Sequence, residues 1–285
     1  ADVAMYEAKS RGGGIAFYNA TTDKHSPERL AIMAELGNAV REEQLCLHYQ
    51  PQFDLRRQQI TGFEALVRWQ HPQLGLLYPD SFIPFAEVSD VIHPLTLSVL
   101  QQALEQQRQW KAAGHGFMVS VNLSARNLID DRFVNLLQGL LQQYGTQPGE
   151  LELEVTESAL MQDPEGAASR LERIAAHGVK LSIDDFGTGY SSLAYLRRLP
   201  LHELKIDRLF VKDILANEQD ANIVRSTIGL AHNLNLQVVA EGVENAEIQS
   251  LLEQMGCDLI QGYHLSRPKV WEEISDWLIT FDQAH

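Results

Sequence analysis

Cysteine is scarce in this chain: 285 residues carry two, Cys46 and Cys257. They are far apart and lack CxxC spacing. Free thiols in a reducing compartment are the plainer reading, with a single bridge left open. A chain of this length buries a full core without disulfides. No apolar run approaches the ~20 residues that a bilayer-crossing helix needs, and no signal-peptide pattern opens the chain. Basic residues are outnumbered, 23 Lys and Arg against 38 Asp and Glu, for a net charge of -15. That deficit argues against generic binding of duplex DNA or RNA, where Lys and Arg must neutralise phosphates. It leaves room for a phosphate ligand held through divalent cations, because bound metal inverts the local field. Internal repeats and low-complexity tracts are missing too. What remains, 45% hydrophobic and 21% charged residues, is ordinary globular composition. The chain opens on Ala1-Asp2-Val3 rather than Met, as if cut from something longer. The expected compartment is the cytoplasm, with no membrane contact by this fragment; membrane segments upstream in a parent protein stay open.

Residues 1–26 read as detached from the rest. Ala1–Arg11 has helical character, Gly12-Gly13-Gly14 breaks it, and Ile15–Tyr18 reads as a short strand. Ser26 and Pro27 suit the cap and first turn of a connecting helix over 27–43, which opens a main domain at 27–285. From Leu45 onward, short β-rich runs alternate with helical patterns. The runs are 45–55, 60–69, 116–123, 151–156, 179–184, 203–206, 237–240 and 259–260. Helical patterns fall near 95–113, 131–144, 164–177, 191–199, 218–234, 246–255 and 271–281. Alternation implies parallel pairing, and eight strands over this length suit an α/β fold of the (β/α)8 TIM-like barrel type. The first two runs are joined by only Arg56-Arg57-Gln58-Gln59. That link suits a hairpin and cannot hold a crossover helix, so one barrel strand is expected to be antiparallel.

Acidic residues fall where those runs end. Glu64 lies inside Phe63-Glu64-Ala65-Leu66-Val67, and Glu154 inside Leu151–Val155. Asp184 and Asp185 close the run 179–183, Glu241 closes 236–240, and Asn122 closes 118–121. Strand C-termini of such a barrel converge on its catalytic face. Any one acid at a strand end is most often solvated or caps the next helix; six oxygen-bearing residues at the ends of five strands are hard to explain that way. Their convergence would need a positive charge, and oxygen-only ligands suit Mg²⁺ or Mn²⁺. Two ions sharing a bridging carboxylate are the usual arrangement for hydrolysing a phosphodiester. Glu152 shares a strand face with Glu154, so spacing does not separate their roles. Lys205, inside Leu204-Lys205-Ile206, needs acidic partners or water, and Arg68 at its strand end is placed to meet a phosphate. The glycines of Phe186-Gly187-Thr188-Gly189-Tyr190-Ser191-Ser192 suit a mobile loop over the site.

These stretches resemble the EAL phosphodiesterases. The resemblance rests on Tyr49-Gln50-Pro51, Glu64-Ala65-Leu66-Val67-Arg68-Trp69, Val121-Asn122-Leu123-Ser124 and Glu154-Val155-Thr156-Glu157. It continues through Asp184–Ser192, Leu204-Lys205-Ile206-Asp207, Ala240-Glu241-Gly242-Val243-Glu244 and Gln261-Gly262-Tyr263, and covers about residues 30–280. It implies metal-dependent opening of one phosphodiester of the bacterial second messenger cyclic di-GMP, giving linear pGpG, on a barrel with one antiparallel strand. Glu64, Asn122, Glu154 and Asp184 would hold one ion, and Asp184, Asp185 and Glu241 the second. Lys205 would hydrogen-bond the attacking water or assist its deprotonation, and Arg68 would bind a phosphate. Gln50 and Leu66 would line the dinucleotide site with Asp207 nearby. Glu157 would anchor the loop 186–192, and Gln261 would support the metal-water network. The resemblance also implies a homodimer, and Ca²⁺ is expected to inhibit. One departure is Asp90, where the family usually has Gly. Separately, Ala1-Asp2-Val3-Ala4-Met5-Tyr6-Glu7-Ala8-Lys9 with its glycines is similar to the end of a GGDEF cyclase domain, which implies a tandem GGDEF–EAL parent. Two other readings are a receptor that binds cyclic di-GMP without cleaving it and a metal-dependent barrel enzyme of the enolase type. The intact ligand set disfavours the first, and the residues around Glu64 and Asp184 the second.

Overall fold

Strand and helix alternate as the sequence implies, and closure comes from the first strand. The structure, a computed structural model, describes residues 27–187 and 193–284. The features expected within 1–26, and loop residues 188–192, lie outside them. Among the described residues nine strands form one sheet: β1 (Leu45–Asp54), β2 (Gln59–His71), β3 (Gly75–Leu77), β4 (Met118–Asn122), β5 (Leu151–Thr156), β6 (Lys180–Phe186), β7 (Glu203–Ile206), β8 (Gln237–Ala240) and β9 (Leu259–Gln261). Their order is β1-β9-β8-β7-β6-β5-β4-β2-β3, and β1 also pairs with β2. Eight strands therefore close a barrel, and β3 sits outside it on β2. From β2 and β4 through to β9 every neighbour is parallel. β1 runs antiparallel to both of its neighbours, as the four-residue link required. Asp54 Oδ1 accepts from the backbone N–H groups of Arg56 (2.9 Å) and Arg57 (2.7 Å), and Gln58 takes a left-handed φ of 55° to complete the turn.

Each strand divides its residues by period two. On β5, Leu151, Leu153 and Val155 are buried in the shell between barrel and helices, while Glu152 and Glu154 enter the lumen. The outer shell is completed by amphipathic helices such as Ile92–Ala112, which buries Leu95, Val99, Leu100, Ala103 and Leu104. Asp131–Tyr144 starts at Asp130, whose side chain accepts from Arg132 N–H, and stops at left-handed Gly145. Phe63, Trp110 and Trp271 pack together, with ring centroids 5.2 Å apart for Phe63–Trp110 and 4.9 Å for Trp110–Trp271. That cluster ties β2 to the helices Ile92–Ala112 and Trp271–Ala284.

The helix Pro27–Arg41 is more than a connector. It buries Ile32, Leu36 and Ala39 against the domain, and Glu35 lies 3.0 Å from His71 Nε2 at the end of β2. The pattern near 191–199 forms a helix only over Leu193–Leu196 among the described residues. There i+3 bonds, Arg198 N–H to Tyr195 O and Leu199 N–H to Leu196 O, tighten the chain ahead of Pro200. β3 was not expected. Cys46 is half-buried and Cys257 buried; both are free thiols. No helix among the described residues is long and apolar enough to cross a membrane.

Candidate active site

Every barrel strand, or the residue just past it, sends one polar side chain to the same level of the lumen. These are Gln50, Glu64, Asn122, Glu154, Asp184, Lys205, Glu241 and Gln261. Lys205 stands at the centre, wholly buried: its Nζ is 2.7 Å from Glu154, 2.7 Å from Glu241, 3.5 Å from Glu64 and 3.8 Å from Asp184. Burial alone would discharge this amine; the four carboxylates outweigh it and hold Lys205 above the usual lysine range.

The carboxylates divide by their surroundings. Burial pushes Glu64 up, but the Lys205 ammonium and hydrogen bonds from Gln261 and Asn122 outweigh it and leave Glu64 low. Both its oxygens are engaged: Asn122 Nδ2 donates to Oε1 (2.7 Å), and Gln261 Nε2 donates to Oε2 (2.5 Å) and to Gln50 Oε1 (3.1 Å). Glu154 is raised, by burial and by repulsion from Glu64, in spite of Lys205. Burial and the neighbouring Asp184 push Asp185 up to about 7. Glu241 is pushed up to about 8 by burial, with Lys205 pulling the other way and Asp184 and Glu64 adding repulsion. Burial is the largest cause of each rise, and the crowded negative charge adds to it.

Asp184 and Asp185 both reach the mouth because the ladder breaks there. β6 and β7 lose register between Ile183 and Phe186, and Asp185 adopts φ 55°, a left-handed conformation uncommon outside glycine. Consecutive side chains on a regular strand would point to opposite faces. The bulge lets both line the two cavities of the mouth, and Asp185 N–H donates to Asp184 Oδ1 (2.9 Å). Buried Glu157 accepts from Gly187 N–H (3.4 Å), at the start of the loop it was expected to anchor. Asp207 caps the helix Arg208–Val211 through Leu209 N–H (2.6 Å) and hydrogen-bonds Asp185.

The two cavities, about 600 and 530 Å³, meet at Glu64, Leu66, Asp184 and Asp185. The smaller also holds Gln50, Arg68, Asp207 and Gln261. Arg68 donates from Nη1 to Val67 O (2.9 Å), and its guanidinium lies 5.0 Å from the Tyr78 ring centre. Tyr78, Arg208 and Tyr263 also line this cavity. Tyr78 and Arg208 were not expected there, and Tyr263 had been noted only as part of a motif. Tyr78 follows β3, a three-residue strand with no periodic signature. Asp90 pairs with Arg126 on the surface (3.2 Å).

These residues fit a divalent cation by donor type. Glu64, Asn122, Glu154, Asp184, Asp185 and Glu241 each offer an oxygen, five carboxylates face the Lys205 ammonium, and buried Glu154 Oε1 has no hydrogen-bond partner among the described residues. They are not converged into a cage: no group of three or more His, Cys, Asp or Glu among the described residues is arranged to hold a metal. The Lys205 ammonium stands among the carboxylates instead.

The EAL domain family matches residues 33–268. The chain is 42% identical over 276 residues to the bifunctional diguanylate cyclase/cyclic di-GMP phosphodiesterase MucR of Pseudomonas aeruginosa. It is 44% identical over 288 residues to the cyclic di-GMP phosphodiesterase NbdA of the same organism. These alignments take in 96% and 100% of this chain but only 40% and 37% of those proteins. A solved structure of the PaMucR phosphodiesterase in complex with c-di-GMP superposes with a TM-score of 0.83 at 42% identity, covering 86% of this chain and 99% of that one. An EAL domain protein from Listeria monocytogenes superposes at 0.76 with 34% identity, covering 85% of this chain and 96% of that one. The barrel with its reversed first strand, the acidic mouth around Lys205 and these matches agree: the chain belongs to the EAL domain family.

Proposed function

We propose that this chain hydrolyses one phosphodiester bond of cyclic di-GMP to give linear pGpG, with divalent cations at the mouth. One observation carries the reading: five carboxylates and a buried lysine gather where two cavities of similar size meet. A ligand built of two like halves, with its scissile phosphate between them, matches that layout. The names of the relatives and the PaMucR complex support the same substrate.

Glu64, Asn122, Glu154 and Asp184 would hold one ion, and Asp184, Asp185 and Glu241 a second. Bound there, Mg²⁺ or Mn²⁺ would acidify water and neutralise charge developing on the phosphoryl group. The remaining roles fall to the chain. Linear pGpG keeps its phosphate on a 5′ oxygen, so the bond that breaks is between phosphorus and O3′, and O3′ must be reprotonated. Lys205, held as an ammonium, orients the attacking water by donating to its oxygen; it can take the water's proton only in exchange for its own, given up toward O3′, so that the transfer balances. Arg68 binds a non-bridging phosphate oxygen, and Tyr78 restrains the guanidinium. Gln50, Leu66 and Asp207 line the nucleotide wall, Gln261 fixes Glu64, and Glu157 holds the loop that begins at Gly187. A cytoplasmic homodimer completes the proposal.

Release of pGpG by the purified chain in Mg²⁺ or Mn²⁺, abolished by EDTA, is the expected result. Ca²⁺ should support binding better than turnover and inhibit the Mg²⁺ reaction. Tight binding of cyclic di-GMP with no product in either metal, across a protein concentration series that spans dimerisation, refutes the enzymatic reading in favour of a receptor.

A further inference from the structure

The lumen has a second polar level. Two residues deeper than each mouth residue stand Gln52, Gly62, Ser120, Glu152, Ser182, Glu203, Val239 and Leu259, one per barrel strand. In filled (β/α)8 barrels bulky branched side chains occupy such levels; here only Val239 and Leu259 are apolar. Gln52, Ser120, Glu152, Ser182 and Glu203 are all buried. Ser120 Oγ donates to Glu152 Oε2 (3.2 Å). Glu152 Oε1, Ser182 Oγ, Glu203 Oε1 and Gln52 Oε1 have no hydrogen-bond partner among the described residues. Buried oxygens left in this state are destabilising, and they are ordinarily satisfied by a ligand, an ion or water.

Three of these oxygens share one wall. β5, β6 and β7 are consecutive strands carrying Glu152, Ser182 and Glu203, and Ser182 is the register partner of Glu203. Their charge is incompletely compensated. Lys205 points to the mouth and is engaged by the carboxylates there. Lys180, the register partner of Glu152, is the other cation whose field reaches both Glu152 and Glu203. Lys205 acts on both carboxyls as well, and on Glu203 more strongly than Lys180 does. Burial, with repulsion from Glu152 in the case of Glu203, nonetheless raises both carboxyls.

We propose that Glu152, Ser182 and Glu203 form a site for one monovalent alkali cation, beneath and separate from the mouth. Three buried oxygens without partners among the described residues, on adjacent strands, call for a positive guest, and an all-oxygen set that mixes carboxylate and hydroxyl suits a hard ion of low charge. Ser120 fixes the orientation of Glu152. The site needs no substrate or divalent metal, so its test is independent of the reaction proposed above.

Thermal melting of the whole chain in EDTA separates the outcomes, with KCl, NaCl or tetramethylammonium chloride compared at equal ionic strength. An alkali salt should raise Tm by roughly 5 °C over tetramethylammonium, saturating with concentration. Glu203→Gln and Ser182→Ala should remove that difference. Crystals soaked in thallium(I) should show an anomalous peak at Glu152, Ser182 and Glu203. Equal Tm in the three salts, an alkali advantage that survives in Ser182→Ala, or thallium found at the mouth alone overturns the proposal. So does a Glu203→Gln protein that melts higher than wild type in every salt, which marks a site holding a proton. If Glu203→Gln does not fold, Ser182→Ala, which deletes one hydroxyl, and the thallium map still decide.

Discussion

The two faces of β5 are built from alternate residues of the same six and do opposite work. Leu151, Leu153 and Val155 face the helices among other apolar side chains, and their burial stabilises the barrel. Glu152 and Glu154 face the lumen, where burial opposes their charge and only a cation or a proton relieves it. The same split recurs on β6, with Leu181 and Ile183 against Ser182 and Asp184. Stability and chemistry are thus interleaved residue by residue along each strand. A substitution on one face should leave the other largely untouched.

The sharpest test of that separation is on the lumen face. Asp184→Ala should lower turnover of cyclic di-GMP by about 10³-fold or more, the scale of losing a metal-holding group, with Tm near wild type. A purified variant within tenfold of wild-type turnover breaks the assignment. On the opposite face, Leu153→Ala should cost about 3 kcal/mol in chemical denaturation through the cavity it leaves, while kcat of the folded fraction stays put; a loss under ~1 kcal/mol contradicts the packing argument.

A smaller effect is expected from pH. Asp185 near 7 and Glu241 near 8 lie above the carboxyl values of an unfolded chain. The metal-free folded state therefore binds more protons than the unfolded one from about pH 4 to 8, and stability falls as pH rises through that window. Melting in EDTA should show Tm dropping between pH 5 and pH 8.5, with Mg²⁺ restoring it at the upper end; a flat profile removes these raised carboxyls from the account. The smallest change is expected from Tyr78→Ala. It removes the ring beside Arg68, a contact worth about 0.5–1 kcal/mol, so KM should rise about two- to fivefold with kcat unchanged. A fall in kcat instead would put Tyr78 in the chemical step.

Much of this was legible in the residues because a barrel strand announces its end. Glu64, Glu154, Asp184 and Glu241 stand out as acids in or just after apolar runs, and the four-residue link 56–59 dictated the reversed strand. Glu152 and Glu154 were indistinguishable by spacing. Only the pairing of β5 with its neighbours puts Glu154 level with Lys205 and Glu152 one step deeper beside Ser120. The deeper polar level was invisible for the same reason: Ser120, Ser182 and Glu203 share a level through strand stagger, which no local pattern encodes. β3 and Tyr78 escaped because three residues of Gly-Leu-Leu carry no period, and the bulge at Asp185 because positive φ at a non-glycine has no sequence mark.

The reversed direction of β1 also decides where the polypeptide enters. In an all-parallel barrel the first strand begins at the floor, opposite the reactive end. Here Leu45 is the register partner of Trp69, near the rim end of β2. Gln44 accepts from Trp69 Nε1 (3.0 Å) and, through its carbonyl, from Gln70 N–H (2.8 Å), one turn of chain after the helix Pro27–Arg41. That helix is clasped to the same rim by Glu35 and His71. Arg68, which faces the scissile phosphate in the proposed reaction, adjoins Trp69 on this edge. A push or twist transmitted along Pro27–Arg41 would arrive at the doorway of the barrel, without crossing its body.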